Sequence, residues 1–291
     1  MKKNYLIPKS FLFILAALVS LRSCNQASEP QKKDSELQID YALYSPSVKD
    51  SFYISLQLPL EYASASDKNF PVVYLTDGNF FGPMLGPILH QYEKGGLLPP
   101  LILASIHYKS FEAMDSLRVR DYLYPASIPS DEMRAVGGGQ RFYQFITDEL
   151  IPKIDSSYRT LADSRTLLGH SFGGYFSLLA LSEQIKNSRH DFNGFVAASP
   201  TLWYNDFYMK QLDSLSKSIL SADSLHLFLS VGGDEEPQWF VKPVNDLAKS
   251  LATPTPKNLK TDVEIYSHLD HMNVGLVAFV KGLQRIYNPN P

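Results

Sequence analysis

The segment Gly169-His170-Ser171-Phe172-Gly173-Gly174 restricts the possible folds of this chain more than any other. It follows the short run Thr166–Leu168, which reads as a strand, and it opens an apolar stretch with helical spacing from Phe172 to Gln184. The pattern G-x-S-x-G between a strand and a helix marks a sharp turn that lifts a serine hydroxyl out of the end of a sheet. The serine backbone is strained there. Gly169 and Gly173 are needed because neither carries a Cβ to collide with the adjoining strand and helix. The Phe172 amide then lies at a helix N-terminus, where free N–H groups and the dipole favour negative charge. Ser171 is therefore the candidate nucleophile. The alternative is a structural glycine-rich turn around a buried serine.

The rest of the chain supplies a matching scaffold. Leu37–Leu43 and Ser51–Leu58 alternate apolar with polar residues, as half-exposed antiparallel strands do. Pro71–Leu75 and Leu101–His107 are short apolar runs of the buried parallel kind, with a helix expected over Met84–Tyr92 between them. Helical spacing recurs at Phe142, Phe145, Ile146, Leu150 and Ile154. Further strands are expected at Phe195–Ala198, Leu225–Val231 and Val263–Tyr266, with helices at Val241–Leu251 and Val274–Ile286. Repeated strand-then-helix units imply a mainly parallel sheet covered by helices on both faces.

A serine nucleophile on such a sheet requires an acid and then a histidine later in the chain. Four histidines follow Ser171. His190 lies in a polar stretch and His226 inside an apolar strand, whereas His268 and His271 follow the last strand and precede the last helix. His271 stands next to the helix start among small or polar neighbours and is the better candidate base, with His268 the alternative. The acid should follow the preceding strand, where Gly232-Gly233-Asp234-Glu235-Glu236-Pro237 offers three carboxylates in a row. The acid orients the imidazole and stabilises its positive charge. Their plainer role is to decorate a helix N-terminus. No H-E-x-x-H or similarly spaced set is present, so neither a metal nor another cofactor is expected.

The N-terminus carries Lys2, Lys3 and Lys9, then an apolar run from Phe11 to Leu21, then Arg22-Ser23-Cys24. This reads as an export signal over residues 1–23, because the run is too short for a spanning helix of about 20 residues. Cys24, the single cysteine, stands where a bacterial lipoprotein signal places the residue that receives lipid. More than one acyl chain there would anchor the protein stably to a membrane of the cell envelope, periplasmic or on the outer surface. Residues 24–36 read as a polar tether and residues 37–291 as one domain. Loss of the signal removes four positive charges and no acids, taking the formal charge from −3 to −7. An acidic domain is a poor nucleic-acid binder.

Several stretches together resemble an esterase family of α/β-hydrolases, the one that contains enterochelin and other siderophore esterases, esterase D-type enzymes and feruloyl or acetylxylan esterases. They are Phe70–Gly78, Phe145–Ile154, Leu167–Gly174, Ala198-Ser199-Pro200-Thr201-Leu202-Trp203-Tyr204 and Asp270-His271. The similarity runs from about residue 37 to residue 287. It implies the α/β-hydrolase fold, a Ser-His-acid triad and His271 as base. Val231-Gly232-Gly233-Asp234-Glu235 is similar to the Val-Gly-x-x-Glu of the siderophore-esterase branch, which favours Glu235 over Asp234. The Asp77-Gly78 turn implies that the amide of Asn79 joins that of Phe172 in an oxyanion hole.

The expected activity is hydrolysis of a carboxylic ester through an acyl-enzyme, on a siderophore lactone, a small acyl ester or an acylated carbohydrate. A ligand-binding lipoprotein on a hydrolase scaffold and an acyltransferase are the alternatives. Phe111–Arg141 reads as a long connection above the sheet, either a solvated loop or a source of Arg118 or Arg120 for an anionic substrate. Trp203 is expected either to wall the substrate pocket or to pack in the core.

Overall fold

The computed structural model describes residues 40–219, 224–252 and 258–287. The expected export signal, the expected tether and Cys24 lie outside these residues. Eight strands form one sheet: β1 (Tyr41–Ser45), β2 (Asp50–Gln57), β3 (Phe70–Leu75), β4 (Ile102–His107), β5 (Thr160–His170), β6 (Gly194–Ala198), β7 (Leu225–Gly232) and β8 (Leu259–Tyr266). Their spatial order is β1-β2-β4-β3-β5-β6-β7-β8, and β2 runs antiparallel to both of its neighbours while every other pairing is parallel. This is the α/β-hydrolase arrangement expected from the sequence.

The central strands are apolar on both sides because each side is covered. Along β3, Val72 and Tyr74 enter one core while Val73 and Leu75 enter the other. Along β6 the division is Phe195 and Ala197 against Val196 and Ala198. This is the two-residue period of an extended chain. Helices α1 (Gly78–Lys94) and α9 (His271–Tyr287) close one face through Phe81, Leu85, Phe279 and Leu283. The opposite face carries α2 (Phe111–Tyr122), α3 (Gly139–Gln144), α4 (Ile151–Ser157) and α5 (Phe172–Lys186). The short segment α6 (Tyr204–Phe207), left-handed at Asn205 to Phe207, then α7 (Leu212–Ser216) and the amphipathic α8 (Lys242–Leu251) follow. Every residue of α5 from Gly173 to Gln184 is buried, so the helix that begins at the serine turn is a central element of the core.

Three elements differ from the sequence expectations. Helix α1 is much longer than Met84–Tyr92 and passes through Pro83 and Pro87. The helix expected over Phe142–Ile154 is continuous in space, but Phe145–Leu150 widens into a π turn ahead of Pro152. The Ile151 amide bonds the Ile146 carbonyl there, five residues back. The supposed connection Phe111–Arg141 opens with α2, whose first turn is capped by Ser110 Oγ accepting the Ala113 amide at 3.2 Å. Helix α2 buries only Met114, Asp121 and Tyr122, so it has no apolar stripe to betray it.

Two imidazoles terminate central strands in the interior. His107 is buried and its Nε2 lies 2.7 Å from Ser55 Oγ. Burial pulls it down to about 4. His170 is buried beside the elbow and donates from Nε2 to the His271 carbonyl at 2.6 Å. Burial, then the neighbouring His271 ring, pull it down to about 3. Both rings stay neutral in the folded chain, while the unfolded chain protonates them near 6.5. The unfolded state therefore binds more protons between these limits, and stability falls as pH drops below about 6.5. Each ring contributes up to about 1.4 kcal/mol per pH unit. Urea unfolding at pH 7 and pH 4.5 should show this loss, and His170→Gln should make it shallower. An identical loss in that variant would assign the pH dependence to other groups.

Candidate active site

The site forms where β5, β7 and β8 end. Ser171 follows β5 with φ 59° and ψ −118°, outside the ordinary regions for an L-residue. The turn is pinned on both sides. The Ser171 amide donates to the Ala198 carbonyl at 3.0 Å, and the Ser171 carbonyl accepts the Tyr175 amide at 2.9 Å. A Cβ on Gly169 would lie 1.9 Å from the Gly173 carbonyl oxygen, and one on Gly173 would lie 2.5 Å from Thr76 Oγ1. The two glycines thus let strand, helix and the neighbouring β3 loop approach closely enough to hold the strained turn.

His271 is the first residue of α9. Asp270 accepts the Met272 and Asn273 amides on Oδ1 at 3.0 and 2.9 Å, fixing the start of the helix. Gly275, one turn further on, lets α9 lie against Phe81 and His170. The His271 ring stands 4.7 Å, centroid to centroid, from that of His170, the residue preceding Ser171. His271 Nδ1 lies 2.7 Å from Glu235 Oε2 and 2.8 Å from Ser199 Oγ. The described hydrogen bonds of its side chain are these two; Ser171 Oγ is not among the partners. Catalytic hydrogen bonds are commonly long before substrate binds.

Of the three carboxylates after β7, Glu235 alone turns inward. It is buried, whereas Asp234 and Glu236 are exposed. Glu235 Oε1 accepts the Gly232 amide at 2.7 Å, and Oε2 accepts the Ser199 hydroxyl at 2.5 Å. Gly232 permits this turn, since a Cβ there would lie 2.2 Å from the Leu269 carbonyl oxygen of the loop leading to His271. His268 sits on that loop, exposed, with φ 66°.

Ser199 was not singled out from the sequence as a functional residue. It is fully buried, has φ 41°, and follows β6 directly. Its sequence signals are the Ser199-Pro200 turn and its place in the Ala198–Tyr204 stretch. The fold puts its hydroxyl within hydrogen-bond distance of both the carboxylate and the imidazole, which also touch each other.

The amides of Phe172 and Asn79 both lie in first helical turns, of α5 and α1, whose amides have no intrahelical partner. The two helices leave the adjacent parallel strands β5 and β3, paired at Leu168 and Leu75. Asp77, between β3 and α1, is left-handed with φ 53° and ψ 41°. The Asn79 side chain braces the turn by exchanging hydrogen bonds with the Tyr108 backbone at 2.8 and 3.0 Å.

The arginines expected to meet an anionic substrate have other partners. Arg118 grips buried Asp77 through Nε and Nη2 at 2.9 and 2.7 Å, and Nη2 also donates to the His170 carbonyl at 3.1 Å. Its guanidinium covers the Phe172 ring at 5.1 Å. Arg118 thus ties the β3 turn to the serine turn. Arg120 is bound to Asp121 and Asp50. Each guanidinium is thus already paired with carboxylates of the fold.

Trp203 is half-buried and lines a cleft of about 630 Å³ with Phe207, Trp239 and Phe240. The Phe240 ring lies 4.9 Å from the His271 ring, so the cleft adjoins the imidazole. Trp239 and Phe240 belong to a π turn, Pro237–Val241, and Phe207 to a left-handed turn with Asn205 and Asp206. Neither turn has a periodic sequence signature. Among the described residues no group of three or more His, Cys, Asp or Glu is placed to hold a metal, and no helix is long and apolar enough to cross a membrane.

Comparison with known proteins agrees with this architecture. The chain is 29% identical over 241 residues to ferri-bacillibactin esterase BesA of Bacillus subtilis, covering 76% of this chain and 80% of that protein. The crystal structure of the BES protein from Bacillus cereus superposes with a TM-score of 0.77 at 22% identity, covering 89% of this chain and 99% of that one. An IroE-like serine hydrolase from Shewanella oneidensis superposes with a TM-score of 0.72 at 25% identity, over 85% of this chain and 79% of that one. The model of the family described as Putative esterase matches residues 45–274, most of the chain, and the chain belongs to that family.

Proposed function

We propose that this protein is a serine esterase that hydrolyses a carboxylic ester through an acyl-enzyme. The observation that carries the reading is the strained Ser171 turn beside an imidazole whose Nδ1 is held by the buried Glu235. In this mechanism His271 takes the Ser171 proton through Nε2 as the hydroxyl attacks the ester carbonyl. Glu235 keeps the Nδ1–H tautomer and stabilises the imidazolium. The Phe172 and Asn79 amides receive the oxyanion, each such donor being worth about 10²–10³ in rate. The alcohol leaves with the proton from His271, and water then attacks the acyl-enzyme with His271 again as base. A siderophore lactone, a small acyl ester and an acylated carbohydrate are the substrate classes proposed, the first supported by kinship to a siderophore esterase.

Ser199 is proposed as a positioning residue. By donating to Glu235 Oε2 it fixes the carboxylate oxygen that faces Nδ1. Ser171→Ala should lower the rate on a nitrophenyl ester by about 10⁴-fold or more with the fold intact. Full activity in that variant would remove the proposal. Ser199→Ala should lower kcat by about ten- to a hundredfold with little change in KM, the scale of one hydrogen bond to a charged group. Ser199→Thr should recover part of the loss. A normal kcat in Ser199→Ala would limit Ser199 to packing.

The proposal extends to location: lipid on Cys24 anchors the enzyme in a bacterial cell envelope. Expressed with its own leader, the protein should fractionate with membranes, and Cys24→Ala should release it. Equal distribution of the two would remove the anchor.

A further inference from the structure

The cleft beside His271 has an unusual combination of linings. Four aromatic residues, Trp203, Phe207, Trp239 and Phe240, share it with three acids, Asp131, Glu132 and Asp206. Neither lysine nor arginine lines it among the described residues. Lys210 stands 4.5 Å from the Phe207 ring centroid but lines a neighbouring groove with Lys242, Asp213 and Asp246. Asp131 is fixed in place, accepting the Ile128 and Asn205 amides at 2.8 and 3.0 Å. Glu132 and Asp206 are exposed, and among the described residues neither is in an ion pair. The Phe207 and Trp239 rings lie nearly parallel, 11° apart with centroids separated by 6.4 Å.

The cleft is connected to the chemistry at two points. Phe240 packs against His271, and Trp203 lies two residues beyond Thr201, whose amide donates to the Ser171 carbonyl at 3.3 Å. The aromatic faces of the cleft therefore begin beside the imidazole proposed as the base. Aromatic faces attract cations through the ring quadrupole, and carboxylates at the rim add to that attraction. The same carboxylates repel an anion, and no lining cation offsets them.

We propose that this cleft selects its ester by charge, taking an apolar arm that is cationic or uncharged and discriminating against an anionic one. The inference rests on the esterase reading for its meaning, but its test does not depend on turnover. The chain has two tryptophans, Trp203 and Trp239, and both line the cleft, so intrinsic fluorescence reports its occupancy. Benzyltrimethylammonium, benzyl alcohol and benzenesulfonate are titrated into the Ser171→Ala protein at low ionic strength. The cation should give saturable quenching with a Kd at least about tenfold below that of the sulfonate, with the alcohol between. The double variant Glu132→Gln, Asp206→Asn should bring cation and sulfonate within about threefold. Equal binding of the three, tighter binding of the sulfonate, or an unchanged order in the double variant would each overturn the inference. Loss of Ser171-dependent ester hydrolysis in the wild-type protein would instead overturn the esterase reading, and the two failures are read from separate assays.

Discussion

The backbone of Ser171 occupies a conformation that the residue does not adopt unaided, and much of the surrounding structure keeps it there. A residue in such a region costs about 1–3 kcal/mol and persists only where its surroundings over-determine it. The determinants are identifiable. Gly169 and Gly173 remove the collisions, the Ala198 carbonyl fixes the amide, and the buried helix α5 continues from the turn. Arg118 adds a cross-tie by holding Asp77 and the His170 carbonyl together. Breaking a buried ion pair of that kind by deleting one partner typically costs about 3–5 kcal/mol, because the other charge is left in the interior. Arg118 is thus an internal strut between the two turns whose amides face the proposed oxyanion.

A second level of organisation comes from the sheet. Parallel strands all end on the same side, so residues far apart in sequence converge there: Ser171 after β5, Ser199 after β6, Glu235 after β7 and His271 after β8. Ligand sites at the carboxyl ends of such strands are a general property of open α/β sheets. The Glu235–Ser199–His271 contacts follow from neighbouring strands in register, Ala198 opposite Ser230 in β6 and β7 and Gly232 opposite Tyr266 in β7 and β8.

Much of this was legible in the sequence because it depends on short-range pattern. The serine turn, the buried strands and the helix beginning near His271 each announce themselves by spacing, glycine placement or a run of apolar residues. Helix α2 was hidden because its main connections are ionic, through Arg118 and Arg120, so it lacks an apolar period. Those same two arginines looked available to a substrate, since a linear sequence does not reveal that Asp77, Asp121 and Asp50 already face them. Ser199 and the aromatic group Phe207, Trp239 and Phe240 were missed because their partners come from distant loops. Between Asp234, Glu235 and Glu236 composition offers no choice; the inward turn after Gly232 makes the difference.

The division of labour between strand ends and connectors has a consequence for descent. Ser171, His271 and Glu235 sit beyond strand ends, whereas Asp206, Phe207, Trp239 and Phe240 of the cleft belong to two short irregular turns, Asn205–Phe207 and Pro237–Val241. Descendants of one such scaffold can therefore differ in the lining of the cleft through substitutions in those turns, with the strand ends left as they are.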